Sequence, residues 1–468
     1  MIAIWKNASP VKRSLLVALA AICALLISFT SLVAIELIVY RAINTRAIPF
    51  KSLKSEADTS VILQGQYLAT LGNCAACHTD RGGAAYAGGK AIHTPFGAVF
   101  ASNITPDPLH GIGSWSADAF YRAMHHGVNA QGKLLTPAFP YPNMTHISRA
   151  DSDALYTYFQ QGVQPVAQPS KTHELAFPFN TQLALAVWRV LFFEKGSADA
   201  TLSIAPSADF KRANALKGFK NELERGHYIV QGLAHCSACH AQRNALGAAS
   251  SDGLFAGALM PMQDWYAPSL HAKEEAGVQH WPREQIVALL KNGVTHQASV
   301  LGPMAEVVAK STQYWRDEDV NATAAYLQSL PIQAAPPTKP PAGIAAQFLA
   351  KGAALYAQHC ATCHGDNGQG IQEADAKTPL GIIRIPALAG NRAVSLPSSA
   401  NLVRIILAGG YAPSTSGNPH PYGMPPFVHV LTDDDIAAVT TYIRASWRNQ
   451  AGAVSASEVV AQRRGVLR

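Results

Sequence analysis

The chain has 468 residues, of which 48% are hydrophobic and 14% charged. That length suits roughly three domains, and the composition excludes a disordered chain or a nucleic-acid-binding tail. The formal net charge of +7 comes from Lys and Arg scattered along the chain rather than clustered, so nucleic acid is set aside as a partner. Seven cysteines are too few for a disulfide scaffold of this size, and six of them fall into three close pairs, which points to cofactor chemistry.

At the N-terminus, Leu15 to Ile35 is an uncharged apolar run, about 31 Å long as a helix, against a hydrocarbon core of roughly 30 Å. A cleaved signal peptide has a shorter apolar region and a small-residue cleavage site; neither is present, so a retained membrane anchor is expected. Glu36 and Tyr40 fall at headgroup level. Positive charge does not orient the span, because Lys6, Lys12 and Arg13 precede it while Arg41, Arg46, Lys51 and Lys54 follow. Cys23, the unpaired cysteine inside the run, is expected to act as a small hydrophobe.

Beyond the span the chain repeats. The motif Cys-x-x-Cys-His occurs as Cys74/Cys77/His78, Cys236/Cys239/His240 and Cys360/Cys363/His364. A helical phrase precedes each one: Gly65 with Tyr67, Gly226 with Tyr228, and Gly352 with Tyr356. The glycine in each permits a close helix crossing. A second phrase closes each unit with one Asp-to-Tyr spacing, Asp151 to Tyr158, Asp319 to Tyr326 and Asp435 to Tyr442, and it reads as an acid-started helix with an inward aromatic stripe. The residues divide as 1–57 for the N-terminus, span and linker, 58–165 for the first unit, 166–212 for an apolar segment and linker, and 213–330 for the second unit. A Pro-rich spacer at 331–344, a third unit at 345–450 and a tail at 451–468 complete the chain. The tail is polar and is expected to be mobile.

Two thiols three positions apart can add to two vinyl groups on one porphyrin edge, while the adjacent histidine reaches the iron; this is c-type haem attachment. Structural zinc wants four ligands, and each motif supplies three. A dithiol redox site needs a thioredoxin-like alternation of strands and helices, whereas these flanks are helical. Three covalently bound haems are therefore expected, attached at Cys74, Cys77, Cys236, Cys239, Cys360 and Cys363, with His78, His240 and His364 on the iron.

The second axial ligand is sought among the methionines. Met424, in Tyr422-Gly-Met-Pro-Pro-Phe427, precedes the closing helix 60 residues after His364, and Met304 lies 64 after His240. The same count from His78 reaches Phe139 at 61 and Met144 at 66. Phenylalanine cannot ligate iron, so Met144 is the expected ligand, with His146, Met124 or an open site as the alternatives. Met260 and Met262 are expected to pack or shape a loop, and His125 and His126 to be exposed helix residues without a role.

From Gly65 to Trp447 the chain resembles the three-haem cytochrome c subunit of bacterial membrane-bound dehydrogenases, the group serving alcohol, aldehyde, gluconate, sorbitol and fructose oxidation. The matching phrases beyond the haem motifs are Asn103 to Asp107, Gly111 to Gly113, Pro137 to Pro142, Trp265 to Pro268, Pro303 to Val307 and Met424 to Phe427. The resemblance implies a mainly α fold of three tandem class I cytochrome c domains behind one N-terminal transmembrane helix. It also implies Met304 and Met424 as distal ligands and haem domains on the periplasmic side of the bacterial inner membrane. Many members of the group carry methionine where this chain has Phe139.

Iron closed by His and Met relays single electrons and offers no open position for substrate. No acid-base pair, nucleophile triad, phosphate loop or dinucleotide fingerprint is found elsewhere. Substrate oxidation then belongs to a partner, which the resemblance makes a flavin, quinone-cofactor or molybdenum dehydrogenase subunit, accompanied in some members by a small subunit, with ubiquinone as the electron acceptor. A cytochrome arm of a terminal oxidase, or a peroxidase-type haem enzyme should the first haem be five-coordinate, are the other readings. Leu183 to Phe193, apolar but too short to span, is either a core helix or a membrane or quinone contact, through Val187 and Leu191 in the latter case.

Overall fold

A computed structural model describes residues 10–44, 59–196, 219–250, 253–295, 298–334, 345–374 and 382–467. Most of the linker and residues 335–344 of the Pro-rich spacer foreseen in the sequence lie outside these residues. The fold is mainly helical, with a three-stranded sheet made by Ala91–Thr94, Gly97–Phe100 and Glu174–Leu175, and three two-stranded ladders.

Three helix pairs are built alike. Thr59–Leu71 crosses Arg149–Gln161, Glu222–Gln231 crosses Asp317–Ser329, and Ala346–His359 crosses Asp433–Ala445. Each crossing is centred on the glycine singled out in the sequence. A Cβ on Gly65 would lie 2.1 Å from the Ala154 carbonyl oxygen, on Gly226 2.0 Å from that of Ala322, and on Gly352 2.3 Å from that of Ala438. Only hydrogen fits there, so the two backbones touch.

The residue before each glycine binds the aspartate that begins the closing helix. Gln64 Nε2 donates to Asp151 Oδ1 at 3.2 Å, Arg225 pairs with Asp319 Oδ1 at 2.7 Å, and Lys351 pairs with Asp435 Oδ1 at 2.7 Å. Asp151 and Asp319 are 0% exposed. These acids therefore do more than favour a helix start, since each ties the closing helix to the opening one.

The first two pairs also lock to each other. Tyr67 Oη donates to Asp319 Oδ2 at 2.5 Å and accepts from Arg316 N–H. Reciprocally, Tyr228 Oη donates to Asp151 Oδ2 at 2.7 Å and accepts from Ser148 N–H. Tyr67 and Tyr228 stand two residues after their glycines, so the contact is isologous, as across the axis of a two-fold dimer. In the third pair the corresponding residue is Ala354, and Asp435 instead accepts from its own Thr432 N–H in a capping box. The third pair joins the second through Asn401, which makes two 2.7 Å bonds to the Tyr266 backbone, and through Arg392, which donates to the Lys273 and Gly277 carbonyls.

The N-terminal helix runs from Pro10 to Asn44, and Val17–Ile38 within it is long and apolar enough to cross a membrane. The short apolar segment forms the helix Gln182–Phe192, capped by Thr181. It does bridge the first two units, since Gln182 bonds Leu134 of the first and Trp188 Nε1 donates to the Leu246 carbonyl of the second, and it also meets the long helix. Its Leu185, Val187 and Val190 pack on Phe29, Val33 and Leu37 of the long helix, and Arg189 Nε meets Glu36 Oε2 at 3.0 Å. Leu183 and Leu191 face outward.

The tail corrects the sequence reading. Ala456–Val466 is a helix with a Ser455–Glu458 capping box. Val459 is fully buried against the third helix pair, and Arg463 binds Asp433 and the carbonyls of Val428 and Leu431. A few apolar side chains, Val454 and Val459 among them, one cap and one arginine bonding carbonyls hold a segment whose polar composition suggested mobility.

Candidate haem centres

Each Cys-x-x-Cys-His motif folds as a single helical turn, in the elements Cys74–His78, Ser237–His240 and Ala361–His364. The turn divides the two sulfurs. Cys74, Cys236 and Cys360 are half-buried against apolar cores, while Cys77, Cys239 and Cys363 are exposed, and none is in a disulfide. Burial, and secondarily the neighbouring cysteine, pushes the Cys74 and Cys236 thiols up to about 12 and that of Cys360 up to about 11. A dithiol redox site requires the opposite shift. Among the described residues no cluster of three or more His, Cys, Asp and Glu converges on a metal-binding point, which leaves zinc without its fourth donor.

The three histidines are held identically. Nδ1 of His78 bonds the Ser102 carbonyl at 2.7 Å, that of His240 the Pro268 carbonyl at 2.7 Å, and that of His364 the Pro386 carbonyl at 3.1 Å. A carbonyl only accepts, so Nδ1 carries the proton and Nε2 keeps its lone pair. Burial lowers the pKa of all three imidazoles, partly opposed by that bond, so the neutral form that ligates iron prevails at pH 7. The carbonyl of each histidine accepts in turn from a glycine at 2.8 Å, Gly88, Gly257 and Gly370, all with φ between 70° and 79°. Paired thiols and an oriented, neutral imidazole fit a haem c at each motif. The loops between histidine and carbonyl partner differ in length, 24, 28 and 22 residues, which is why this clamp is not visible as a repeat in the sequence.

Comparison with known proteins identifies a cytochrome c. The cytochrome c family profile matches residues 349–447. The cytochrome c subunit of the quinone alcohol dehydrogenase of Gluconacetobacter polyoxogenes is 37% identical over 86% of this chain and 84% of its own. The gluconate 2-dehydrogenase cytochrome c subunit of Pantoea cypripedii is 35% identical over 87% and 91%, and the fructose dehydrogenase cytochrome subunit of Gluconobacter japonicus is 33% identical over 90% and 86%. The chain belongs to this family of dehydrogenase cytochrome c subunits. It carries covalently bound haem c and works in electron transport.

The distal candidates of this cytochrome c subunit lie in different settings. Met304 is half-buried in the helix Gly302–Lys310, which packs on the first motif's turn. Met424 is half-buried on the strand Gly423–Met424. Met144 is 3% exposed inside the core shared by the first two units. Met260 lies in a short ladder and Met262 is exposed. The second unit reaches the first motif, through the contact of Gly302–Lys310 with the turn Cys74–His78.

His125 and His126 are not exposed helix residues. The helix Ala117–His126 is covered on that side, leaving His125 only 2% exposed and stacked on Tyr121. Burial and neighbouring positive groups hold both imidazoles down at about 4. In the unfolded chain they titrate near 6.5, so on acidification the unfolded state takes up protons first. Their stabilisation is complete above about pH 6.5 and is lost as pH falls toward 4. Between pH 7 and pH 5 the urea-unfolding free energy should fall by about 2 kcal/mol from His125 alone, and the His125→Phe variant should show a correspondingly shallower acid limb. An identical limb in that variant would show that His125 is not the titrating group.

Proposed function

We propose that the chain is a membrane-anchored electron relay of three cytochrome c domains, each holding one haem. Cys74, Cys77, Cys236, Cys239, Cys360 and Cys363 form the thioethers, and His78, His240 and His364 bind the irons, with Met304 and Met424 as the distal ligands of the second and third. The observation that carries this reading is the threefold recurrence of one histidine clamp on three Cys-x-x-Cys-His turns. Bound haem c supplies one-electron exchange at its iron. The chain's own residues supply position: the carbonyl partners of the three Nδ1 atoms aim the imidazoles, and the Tyr67 and Tyr228 locks hold the first two motifs side by side.

Electrons enter from a catalytic dehydrogenase subunit, of flavin, quinone-cofactor or molybdenum type, on which the substrate is oxidised; some complexes include a small subunit as well. They leave to ubiquinone in the bacterial inner membrane, with the three domains on the periplasmic side. The relatives named above support a dehydrogenase partner, and the apolar helix Val17–Ile38 suits an anchor.

The test is direct. The full chain, purified from membranes with its partner, should contain three haems by intact mass and pyridine haemochrome. After reduction by the partner's substrate, its haems should be reoxidised by a short-chain ubiquinone. Any other haem count, or haems that stay reduced, would overturn the reading. Leu191, exposed on the helix docked to the anchor, gives a further check. Leu191→Glu should slow ubiquinone reduction severalfold with haem content unchanged, and unaltered kinetics would remove this face from the quinone path.

A further inference from the structure

The helices Ala117–His126, Arg283–Asn292 and Ala400–Ala408 each pack on the closing helix of their unit. All three end on a left-handed glycine, Gly127 with φ 58°, Gly293 with φ 73° and Gly409 with φ 66°. In the first two units the chain then loops out and returns to that glycine's carbonyl. Leu135 N–H donates to Gly127 O at 2.7 Å, and Val300 N–H donates to Gly293 O at 2.8 Å. Four residues beyond these matched anchor points stand Phe139 and Met304, both half-buried. In the third unit Met424 returns to the same helix end as the ladder partner of Gly410. The position is filled by a thioether twice and by a phenyl ring once.

The other candidates in the first unit are otherwise engaged. A ligating thioether has to leave its sulfur open toward the porphyrin, yet Met144 is 3% exposed and Met124 7%, both enclosed in the core that contains Leu68, Ile147 and Leu155. The ring of His146 lies against Gly196 and senses the charge of His227 in the second unit's opening helix. Phe139 packs on this same core together with Cys74, Ile104 and Trp115, and a phenyl ring offers no lone pair.

We propose that the first haem iron has no protein ligand on its distal side and that this side, walled by Phe139, admits a small neutral ligand of the carbon monoxide or nitric oxide class. The inference rests on the reading of one haem per motif. The polarity of a distal wall decides what an open haem binds, and Phe139 itself, in a cluster with Ile104 and Trp115, brings a hydrocarbon surface, a setting for an uncharged diatomic.

The experiment uses the full-length chain in detergent, with haem counted by mass beforehand; fewer than three haems would fail the underlying reading and not this inference. The dithionite-reduced wild type should bind one carbon monoxide per chain, and the ferric protein should show a high-spin signal from one haem in three. Phe139→Met should lose carbon monoxide binding and the high-spin signal, whereas Met144→Leu should keep both. A three-haem wild type that binds no carbon monoxide, a Met144→Leu variant that gains binding, or a Phe139→Met variant that keeps it would each overturn the inference.

Discussion

Arg225→Ala should destabilise the paired first and second units by about 3–5 kcal/mol, the cost of stranding a buried charge. Asp319 is 0% exposed and Arg225 4%, with guanidinium and carboxylate 2.7 Å apart. The same carboxylate accepts the Tyr67 hydroxyl from the first unit, so the damage should spread across the interface. Lys351→Ala is the control. Lys351 holds the matching place in the third unit, but its pair with Asp435 is solvated, with side-chain exposures of 44% and 21%, and such pairs contribute about 0.2–1 kcal/mol. Urea unfolding of the two variants should therefore differ severalfold in free-energy loss. Equal losses would mean that the second unit's aspartate is not the buried keystone described above.

Gly65→Val should cost about 3 kcal/mol or more, the upper range for overpacking, because the intruding atoms meet backbone rather than a movable side chain. The Ala154 carbonyl oxygen lies 2.1 Å and Tyr158 Cβ 2.5 Å from the position of the added Cβ. Relief requires the two helices to part, which opens the core around Leu68 and Leu155, both 0% exposed. Cys74 packs on that core, so haem attachment at the first motif should suffer selectively. Intact mass should reveal a population lighter by one haem, while Gly83→Ala, at a glycine whose added Cβ would meet nothing closer than 3.4 Å, should leave attachment intact. Full haem loading of Gly65→Val would refute the close crossing.

What the sequence revealed was local. The three motifs, the glycines of the helix crossings and the Asp-to-Tyr phrases are periodic or contiguous, and each proved to sit in a repeated element. What it concealed was long-range. Tyr67 and Asp319 are 252 residues apart and Tyr228 and Asp151 are 77 apart; nothing at either end of these bonds marks the other. A polar residue does precede the crossing glycine in every unit, Gln64, Arg225 and Lys351, and that recurrence is the sequence signal that could have found the aspartate contacts. The tail was misread because composition averages over the few residues that matter, Ala451, Val454 and Val459. His125 was misread because a histidine at a helix end shows its environment only once the opposing elements are placed.

The grip of Arg189 on Glu36, with Val33 and Ala186 in the same cluster, limits how the rest of the chain can swivel about the N-terminal helix. A simple leash would let the body tumble and offer any face to the lipid. A stalk clasped from Phe29 to Leu37 would instead, in the membrane setting proposed above, present one constant face at a set height, so that encounter with a mobile carrier in the bilayer would become a two-dimensional search for a fixed dock.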